Sequence, residues 1–430
     1  MKRDKIKELI EWKTGSGRKP LVVRGARQVG KTWLLREFGK DEYENCVYIN
    51  FEDANTIKDI FVQDFDIERI ILSLEIYSKE KITADKTLII FDEIQETPRA
   101  ITSLKYFYEK APEYHIIAAG SLLGMGLHKN ISFPVGKVNF MNLRPLSFCE
   151  FLGALGEDLL AESITKCNWD LLNPFTDKLI NYLKTYYYVG GMPEVVNAYV
   201  ETKDFSLVRN KQMDILRSYV ADFSKHAPSN VVARINMVWQ SIPSQLAKEN
   251  KKFIYGVIRE GARAKDFELA IQWLCDTGIL IKSNRISKPH IPLIAYEEGS
   301  IFKLFLLDVG LLSAICHLDV TILLEKSKIF TEFKGALTEQ FVLQELRNNE
   351  ENYIGYWTND KNTAEVDFVI QSNNRVIPIE VKAEVNVRSK SFKLFYDKYQ
   401  PEYAVRSSML PYSKESWLDN IPLYGVSTIK

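Results

Sequence analysis

A glycine-containing segment near the N-terminus carries the first residues whose types and spacing indicate chemistry. The spacing GxxxxGK[ST] is met by Gly25, Ala26, Arg27, Gln28, Val29, Gly30, Lys31 and Thr32. Glycines let a backbone wrap closely around phosphate oxygens, and the N–H groups of a helix N-terminus supply positive potential. We expect Lys31 to reach the β- and γ-phosphates of a nucleotide and the Thr32 hydroxyl to bind Mg²⁺. The segment therefore predicts a phosphate-binding loop.

Two adjacent carboxylates end an apolar run further along the chain. Asp92 and Glu93 follow Leu88-Ile89-Ile90-Phe91, and ligands bind at the carboxyl ends of strands in parallel sheets. We expect Asp92 to position Mg²⁺ through water and Glu93 to polarise the attacking water as general base. Ser121, at the end of another apolar run, is a candidate sensor of the γ-phosphate or the water.

A second set of chemical residues lies near the C-terminus. Asp367 is followed, after twelve residues, by Glu380-Val381-Lys382. Because side chains alternate along a strand, Glu380 and Lys382 share one face, and Asp367 lies opposite the apolar face of its own strand. Pairing of these two strands would bring the three polar side chains together.

A third carboxylate, Glu339, lies on a predicted helix over 333–348 that is largely apolar. A buried carboxylate is costly unless it is paired or bound to metal, and clustered carboxylates repel one another unless a cation neutralises them. Glu339, Asp367 and Glu380 are therefore candidate ligands of a second Mg²⁺ or Mn²⁺. Lys382 would orient water or stabilise the transition state. The alternative is a carboxylate–lysine salt-bridge cluster that binds nucleic acid or a protein partner.

Short apolar runs separated by helical patterns must position the first set of residues. The runs are predicted strands at 21–23, 47–51, 87–91 and 115–119. This alternation predicts a right-handed, mostly parallel α/β sheet with helices on both faces. Residues 156–225 are predicted to be helical, and near the C-terminus we expect strands at 353–358, 365–370 and 376–382.

The middle of the chain is basic. Residues 228–288 hold ten Lys and Arg against five Asp and Glu, a net charge of +5. A helical apolar stripe at 267, 270, 271 and 274 precedes Gly278 and a predicted strand, as in the recognition helix and wing of a winged helix. Such a module either binds DNA phosphates or only packs on the rest of the protein, and the residues favour neither.

Composition sets broad limits. The chain has 430 residues, 56 Lys and Arg against 56 Asp and Glu, 46% hydrophobic and 26% charged residues. This balance is typical of a globular protein and excludes long disorder. No apolar run is long enough to span a membrane, and the charged N-terminus does not match a secretory signal. Five scattered cysteines fit a reducing compartment, so we expect a cytoplasmic protein without a membrane partner.

Five segments resemble, in their order, a bacterial and archaeal ATPase family of the AAA+/STAND group whose C-terminal domain has no assigned function. They are RGARQVGKT, LIIFDEIQ, AAGS, LRPLSFCEF and YVGGMPEVV. The resemblance implies that Gly191 and Pro193, in the Gly-x-Pro element Gly191-Met192-Pro193, contact the nucleotide. Similar proteins often have Gly-Arg where this chain has Gly136-Lys137, and lysine lacks the planar fork of arginine. An arginine that acts in trans is therefore not identified.

The spacing from Asp367 to Lys382 resembles the PD-(D/E)xK signature of restriction-endonuclease-like nucleases, with Val366 in place of the proline. Together these features predict an α/β protein of four domains. They are a P-loop NTPase core (1–155) with a parallel αβα sheet, a helical lid (156–227), a winged-helix-like domain (228–300) and a PD-(D/E)xK nuclease-like α/β domain (301–430).

Three functions follow from these domains. The first is Mg²⁺-dependent ATP hydrolysis that drives or switches the C-terminal domain. The second is a nucleotide-gated, metal-dependent DNA nuclease used in defence. The third is a slow ATP-dependent switch or scaffold with an inactive nuclease fold. The expected cofactors are ATP and Mg²⁺, and the candidate partners are DNA at the basic middle region, a second copy of the chain or another protein.

Overall fold

The computed structural model describes residues 1–52, 55–121, 134–247, 251–324, 331–361, 363–383 and 389–430. Lys248 and Glu249, two of the charges counted in the basic middle region, lie outside these residues. Contacts divide the chain into two compact units. The N-terminal unit comprises Arg3–Arg144 and Asp276–Gly278, and the C-terminal unit comprises Met1–Lys2, Pro145–Cys275 and Ile279–Lys430. Among the described residues, no helix has the length and apolarity needed to cross a membrane.

The N-terminal unit is built on a five-stranded parallel sheet. Its strands are β1 (Leu21–Arg24), β2 (Asn45–Asn50), β3 (Thr87–Asp92), β4 (His115–Gly120) and β5 (Asn139–Asn142). Their order in the sheet is β2-β3-β4-β1-β5, and every pair is parallel. In the described part of this unit the helices are α1 (Ile6–Thr14), α2 (Lys31–Glu42), α3 (Asn55–Ile60), α4 (Ile67–Ser78) and α5 (Pro98–Lys110). The prediction of a parallel α/β sheet is confirmed.

Burial explains which strands the sequence predicts. Every residue of β3 and of β4 is buried, so these strands are continuous apolar runs, as expected for the middle of a parallel sheet. The edge strand β5 has only one buried residue, Met141, and its sequence Asn-Phe-Met-Asn carries no such run. Because all five strands are parallel, the carboxyl ends of β1, β3 and β4, at Arg24, Asp92 and Gly120, lie at the same edge of the sheet.

The first half of the C-terminal unit is helical. Its helices are α6 (Phe148–Ala154), α7 (Asp158–Thr165), α8 (Trp169–Leu172), α9 (Thr176–Val189), α10 (Pro193–Thr202), α11 (Phe205–His226), α12 (Ser229–Leu246), α13 (Tyr255–Ile258) and α14 (Ala264–Asp276). Four further helices are α15 (Val309–Ile315), α16 (Val320–Leu324), α17 (Thr331–Leu346) and α18 (Lys390–Tyr399). The predicted helical stretch at 156–225 agrees with α7 to α11, and the predicted stripe at 267, 270, 271 and 274 is the buried face of α14.

An eight-stranded mixed sheet forms the rest of this unit. Its strands are β6 (Leu280–Ile286), β7 (Glu297–Leu306), β8 (Tyr353–Thr358), β9 (Glu365–Ser372), β10 (Arg375–Val381), β11 (Val405–Ser408), β12 (Ser413–Lys414) and β13 (Asp419–Pro422). The order is β12-β13-β11-β10-β9-β8-β6-β7. Strands β6 and β7 pair antiparallel, and β6 pairs in parallel with β8. Residues on both sides of the predicted boundary at 300 therefore belong to one sheet, and β7 crosses that position.

Candidate nucleotide site and a buried carboxylate–lysine cluster

The phosphate-binding loop connects β1 to α2 with the backbone conformations that the motif requires. Gly25 has φ +156°, and a Cβ atom there would lie 2.3 Å from the carbonyl oxygen of Leu143. Gly30 has φ +92° and immediately precedes α2. Both positions need glycine, the first because of the close backbone approach and the second because of its left-handed conformation. The loop N–H groups and the N-terminus of α2 form a setting suited to phosphate.

Lys31 lies almost buried inside this loop, with 6% of its surface exposed. Its Nζ donates hydrogen bonds to the carbonyl oxygens of Gly25 and Ala26, at 2.9 Å each. Burial lowers the pKa of Lys31 to about 8, although the carboxylates of Glu93 and Asp92 act in the opposite direction. The ammonium group is thus held in the loop, where an incoming phosphate would favour its charged form.

Three donors hold the Asp92 carboxylate at the end of β3. The Thr32 hydroxyl donates to Asp92 Oδ2 at 2.6 Å, and the Tyr48 hydroxyl donates to the same oxygen at 2.8 Å. The backbone N–H of Glu93 donates to Asp92 Oδ1 at 3.1 Å. The two residues expected to bind or position Mg²⁺, Thr32 and Asp92, are therefore in direct contact. These oxygen donors have the chemistry that Mg²⁺ prefers, so the residues fit the metal that accompanies a nucleotide.

Tyr48 is a residue of this site that the sequence argument does not identify. It lies on β2, where it pairs with Ile90 of β3, two residues before Asp92. Burial and the negative charge of Asp92 raise the pKa of the Tyr48 phenol, which therefore remains a hydrogen-bond donor. Tyrosine is common in β-strands, so its presence in an apolar strand does not indicate a functional role. Only the register between β2 and β3 shows that Tyr48 lies next to Asp92.

Glu93 adopts an unusual backbone conformation next to Asp92. Its φ is +50°, in the left-handed region that side-chain-bearing residues seldom occupy. Such strain persists only where the surrounding structure enforces it, and it is concentrated at functional sites. The Gln95 side-chain amide donates a hydrogen bond to Glu93 Oε2. Glu93 therefore begins a tight turn, and its carboxylate is held by a neighbour two residues away.

Ser121 lies directly after β4 and is buried. The Arg27 Nε donates a 3.4 Å hydrogen bond to the Ser121 hydroxyl, which links the phosphate-binding loop to the end of β4. Ala26, Gln28 and Val29 complete the loop, and Gln28 has a positive φ of +66°. Every predicted residue from Gly25 to Thr32, with Asp92, Glu93 and Ser121, thus lies at one edge of one sheet.

Gly191 and Pro193 lie in the C-terminal unit, between α9 and α10. The Gly191 N–H donates to Asp308 Oδ2 at 2.6 Å, and a Cβ at Gly191 would lie 2.2 Å from the carbonyl oxygen of Leu146. Pro193 is the first residue of α10, where its missing N–H is not needed. Burial raises the pKa of Asp308 to about 6 despite its backbone hydrogen bonds. A role of Gly191 and Pro193 toward nucleotide stays a prediction.

Strands β9 and β10 bring the C-terminal chemical residues together. They pair antiparallel, with Phe368 opposite Ile379. The Val381 N–H donates to Asp367 Oδ2 at 2.7 Å, and Lys382 Nζ lies 2.6 Å from Glu380 Oε1. The juxtaposition expected from period-two alternation is therefore observed.

Two lysines outside the predicted set also enter this cluster. Lys303 of β7 lies 3.5 Å from Glu339 Oε2 and pairs with Glu365. Lys251 pairs with Glu339 Oε1. Lys303 is completely buried and Glu339 is 7% exposed. Lys303 interrupts an otherwise apolar strand, Ile301-Phe302-Lys303-Leu304-Phe305, and a lysine in such a strand is the one sequence signal that a carboxylate partner is near.

The pKa shifts in this cluster differ in direction. Burial and the neighbouring carboxylates of Glu339 and Glu380 raise the pKa of Asp367 well above its ordinary value. Burial also raises the pKa of Glu380. For Glu339, burial acts toward a higher pKa, but Lys251 and Lys303 outweigh it and lower the pKa. Three lysines therefore supply the positive charge that these carboxylates need.

No arrangement of three or more His, Cys, Asp or Glu side chains within the described ranges could hold a metal ion. The carboxylates have the right chemistry for Mg²⁺ or Mn²⁺. In this arrangement, however, Glu339 and Glu380 each face a lysine ammonium group. A second metal ion could bind these oxygens only if Lys251 and Lys382 moved away from Glu339 and Glu380.

Internal contacts engage part of the basic charge of the middle region. Lys251 pairs with Glu339, and Lys282 donates to the carbonyl oxygen of Gly299 at 3.0 Å. Arg285 lies 3.2 Å from a carboxylate oxygen of Glu298. Lys251 and Arg285 thus pair with carboxylates that lie outside 228–288, so the sequence charge of +5 overstates what a nucleic acid would meet. Lys282 is exposed and keeps its charge.

Comparisons with known proteins match three consecutive parts of the chain. Residues 17–152 match a family described as an AAA domain, and residues 180–321 and 334–425 match two separate domains of unknown function. No curated protein matches the chain.

Solved structures are similar at low sequence identity. A Walker-type ATPase of Pyrococcus abyssi is 14% identical with a TM-score of 0.44, covering 73% of this chain and 95% of that one. The Aeropyrum pernix ORC1 protein in complex with DNA is 13% identical with a TM-score of 0.28, covering 73% and 90%. Drosophila ORC bound to DNA is 13% identical with a TM-score of 0.29, covering 69% and 89%. The AAA match and the loop geometry around Lys31 support the assignment of the N-terminal unit as an AAA-type P-loop ATPase domain.

Proposed function

We propose that this chain binds ATP with Mg²⁺, hydrolyses it, and uses the cycle to switch its C-terminal unit. The observation that carries the proposal is the contact of the Thr32 hydroxyl with the Asp92 carboxylate at 2.6 Å, beside a buried Lys31. A strand end, a phosphate-binding loop and a helix start thereby supply donors for phosphate and oxygens for the metal at one edge of one sheet.

Each residue has a distinct role in the proposed reaction. Lys31 and the loop N–H groups bind the β- and γ-phosphates and stabilise the charge that develops on them. Thr32 and Asp92 would hold Mg²⁺, and a bound Mg²⁺ would neutralise charge on the phosphate oxygens. Glu93 orients the attacking water and accepts its proton. Ser121, linked to Arg27, is proposed to sense the γ-phosphate or the water.

Phosphate release from ATP tests this function directly. In Lys31→Ala we expect loss of nucleotide affinity, and in Glu93→Gln we expect retained ATP binding with turnover reduced at least about 100-fold, as for loss of a general base. Glu96→Gln is the matched control, since it makes the same change three residues away, outside the proposed machinery. Turnover at the wild-type rate in both Lys31→Ala and Glu93→Gln would refute the proposal.

A second candidate function is metal-dependent cleavage of DNA by the C-terminal cluster, gated by nucleotide. It is supported by the grouping of Asp367 and Glu380 on two paired strands, with Lys382 directly after the second strand. The Glu339 carboxylate is near enough to raise the pKa of Asp367. The lysine partners of Glu339 argue against an open metal site, and they favour the alternative of a scaffold that binds nucleic acid or a protein.

Incubation with linear, circular and single-stranded DNA, with Mg²⁺ or Mn²⁺ and with or without ATP, separates these alternatives. Cleavage that is lost in Asp367→Ala and in Lys382→Ala would support a nuclease. Cleavage that persists in both variants would exclude this cluster as its source. If no substrate is cut, salt-dependent DNA binding would support the scaffold, since phosphate contacts weaken as salt rises.

A further inference from the structure

Two hydroxyl groups converge on a single oxygen of Asp92. The Thr32 hydroxyl is 2.6 Å from Asp92 Oδ2, and the Tyr48 hydroxyl is 2.8 Å from it. The other carboxylate oxygen accepts the N–H of Glu93 at 3.1 Å. Asp92 is only 3% exposed, so these three donors fix a carboxylate that has little access to water.

The Tyr48 ring is itself held in place. The Arg36 guanidinium lies over the ring, 3.9 Å from its centre, which is the geometry of a favourable cation–π contact. Arg36 follows Thr32 by four residues on α2, so both side chains lie on the same face of that helix. One helix face therefore contacts Asp92 directly through Thr32 and indirectly through the ring of Tyr48.

We propose that Tyr48 is a positioning residue of the nucleotide site, whose hydroxyl holds the Asp92 carboxylate in the orientation that the Mg²⁺ of a bound nucleotide requires. This inference rests on the proposed function, since it concerns the metal that accompanies ATP. The Thr32 hydroxyl donates its hydrogen to Asp92, so the lone pairs of the Thr32 oxygen remain free to bind the metal. The Tyr48 hydroxyl donates a second hydrogen bond to the same carboxylate oxygen. This bond prevents rotation of the carboxylate away from Thr32.

Loss of the Tyr48 hydroxyl has a selective consequence. Groups that orient metal ligands from outside the coordination shell change metal affinity by about 10- to 100-fold when removed. Tyr48→Phe retains the ring, its packing and its contact with Arg36. We therefore expect it to weaken the Mg²⁺-dependent part of nucleotide binding about tenfold, while the metal-free part, which depends on the phosphate loop, is unchanged.

The test is calorimetric titration of ADP with and without Mg²⁺ into the wild type, Tyr48→Phe and Tyr43→Phe. Tyr43→Phe is the matched control: it makes the same substitution in the same unit, and its hydroxyl is hydrogen-bonded to His115 Nδ1 at 2.7 Å, away from Asp92. We expect Mg²⁺ to strengthen ADP binding equally in the wild type and Tyr43→Phe, and about tenfold less in Tyr48→Phe.

A second pair of variants makes the result specific. In an Asp92→Asn background, Tyr48→Phe should have no further effect on the Mg²⁺ dependence, because the residue acts through Asp92. Equal Mg²⁺ dependence in Tyr48→Phe and the wild type would overturn the inference. So would a parallel loss of metal-free ADP binding, which would indicate a structural role. Failure of the wild type to bind ADP or ATP would instead refute the proposed function.

Discussion

Lys303 Nζ lies 3.5 Å from Glu339 Oε2, although the first residue comes from a strand and the second from a helix 36 positions later in the chain. Both are at least nine-tenths buried, and Lys303 also pairs with Glu365. Burial acts toward a lower pKa for Lys303, but the carboxylates of Glu365, Glu339 and Asp367 outweigh it and raise the pKa. The ammonium group therefore stays charged and serves as an internal counter-ion.

Removal of this counter-ion is expected to be costly. Lys303→Met removes the lysine partner of Glu365 and one of the two lysines beside Glu339, and loss of one partner from a buried ion pair costs about 3–5 kcal/mol of unfolding free energy. Urea unfolding measures the loss. Lys393→Met, which removes the lysine of the exposed pair with Asp397, should change stability by no more than about 0.5 kcal/mol. A loss below about 1 kcal/mol in Lys303→Met would contradict the role of Lys303 as counter-ion.

Asp367 should make stability depend on pH. Its folded-state pKa is raised by burial and by the carboxylates of Glu339 and Glu380. The contribution of Asp367 to the free energy of unfolding is thus fully present below the pKa that Asp367 has in the unfolded chain. It is lost as the pH rises through the higher pKa of the folded state. Asp367→Asn removes this dependence, so its unfolding free energy relative to the wild type should increase between pH 4 and neutral pH.

Urea unfolding of both proteins across that pH range is the measurement. Asp397→Asn, at an exposed position on α18, is the control and should follow the wild-type profile. An Asp367→Asn profile parallel to that of the wild type would show that Asp367 does not couple folding to protonation.

Lys31 should make nucleotide binding depend on pH in the alkaline range. Burial lowers its pKa to about 8 in the nucleotide-free protein, so above that pH the free loop loses its positive charge. Since phosphate binding needs the charged form, nucleotide affinity should fall up to tenfold per pH unit above about 8. ADP titrations between pH 7 and 9.5 measure this fall.

The guanidinium of Lys31→Arg remains charged throughout the same range. That variant should bind more weakly, because its planar head does not fit the loop, but with a flat pH profile. A flat profile in the wild type would exclude titration of Lys31 as the cause of any pH effect.

Asp308 should be sensitive to the smallest change in its side chain. Its two oxygens accept the N–H groups of Gly191 and Leu311 at 2.6 and 2.9 Å. The amide of Asp308→Asn can accept only one of these, and an unsatisfied buried donor costs about 1–3 kcal/mol. Urea unfolding of Asp308→Asn should show this loss, whereas Asp319→Asn, at an exposed turn, should stay within about 0.5 kcal/mol of the wild type. Equal stability of the two variants would argue against Asp308 as the residue that fixes the Gly191 turn.

Local pattern predicts the parts of both sites that depend on local geometry. The strand–loop–helix arrangement around Lys31 follows from a short motif, and the approach of Asp367 to Glu380 follows from alternation along two adjacent strands. The buried strands β3 and β4 are continuous apolar runs, which the sequence displays directly. Strand β5 is a half-exposed edge strand and has no such run, so pattern alone does not identify it.

Residues that come from distant elements could not be predicted in this way. Tyr48 reaches Asp92 only because β2 lies beside β3. Lys303 reaches Glu339 because β7 lies against α17, and Lys251 reaches it from the segment between α12 and α13. The four-domain division and the functional roles of the site residues stay predictions. In physical terms, spacing fixes contacts within a motif, whereas contacts between motifs depend on tertiary packing.

Strands β6 to β13 form one sheet in the C-terminal unit. This sheet limits where the chain could be truncated and which of its parts could move separately. A fragment that starts at residue 301 would begin inside β7 and lack β6, so β8 would become an open edge prone to intermolecular pairing. The same hydrogen bonds make the β6–β7 hairpin move with the strands that carry Asp367 and Glu380. In the proposed ATP-driven cycle we therefore expect the hairpin and the carboxylate–lysine cluster to move together, since Lys303 of β7 also pairs with Glu365 of β9.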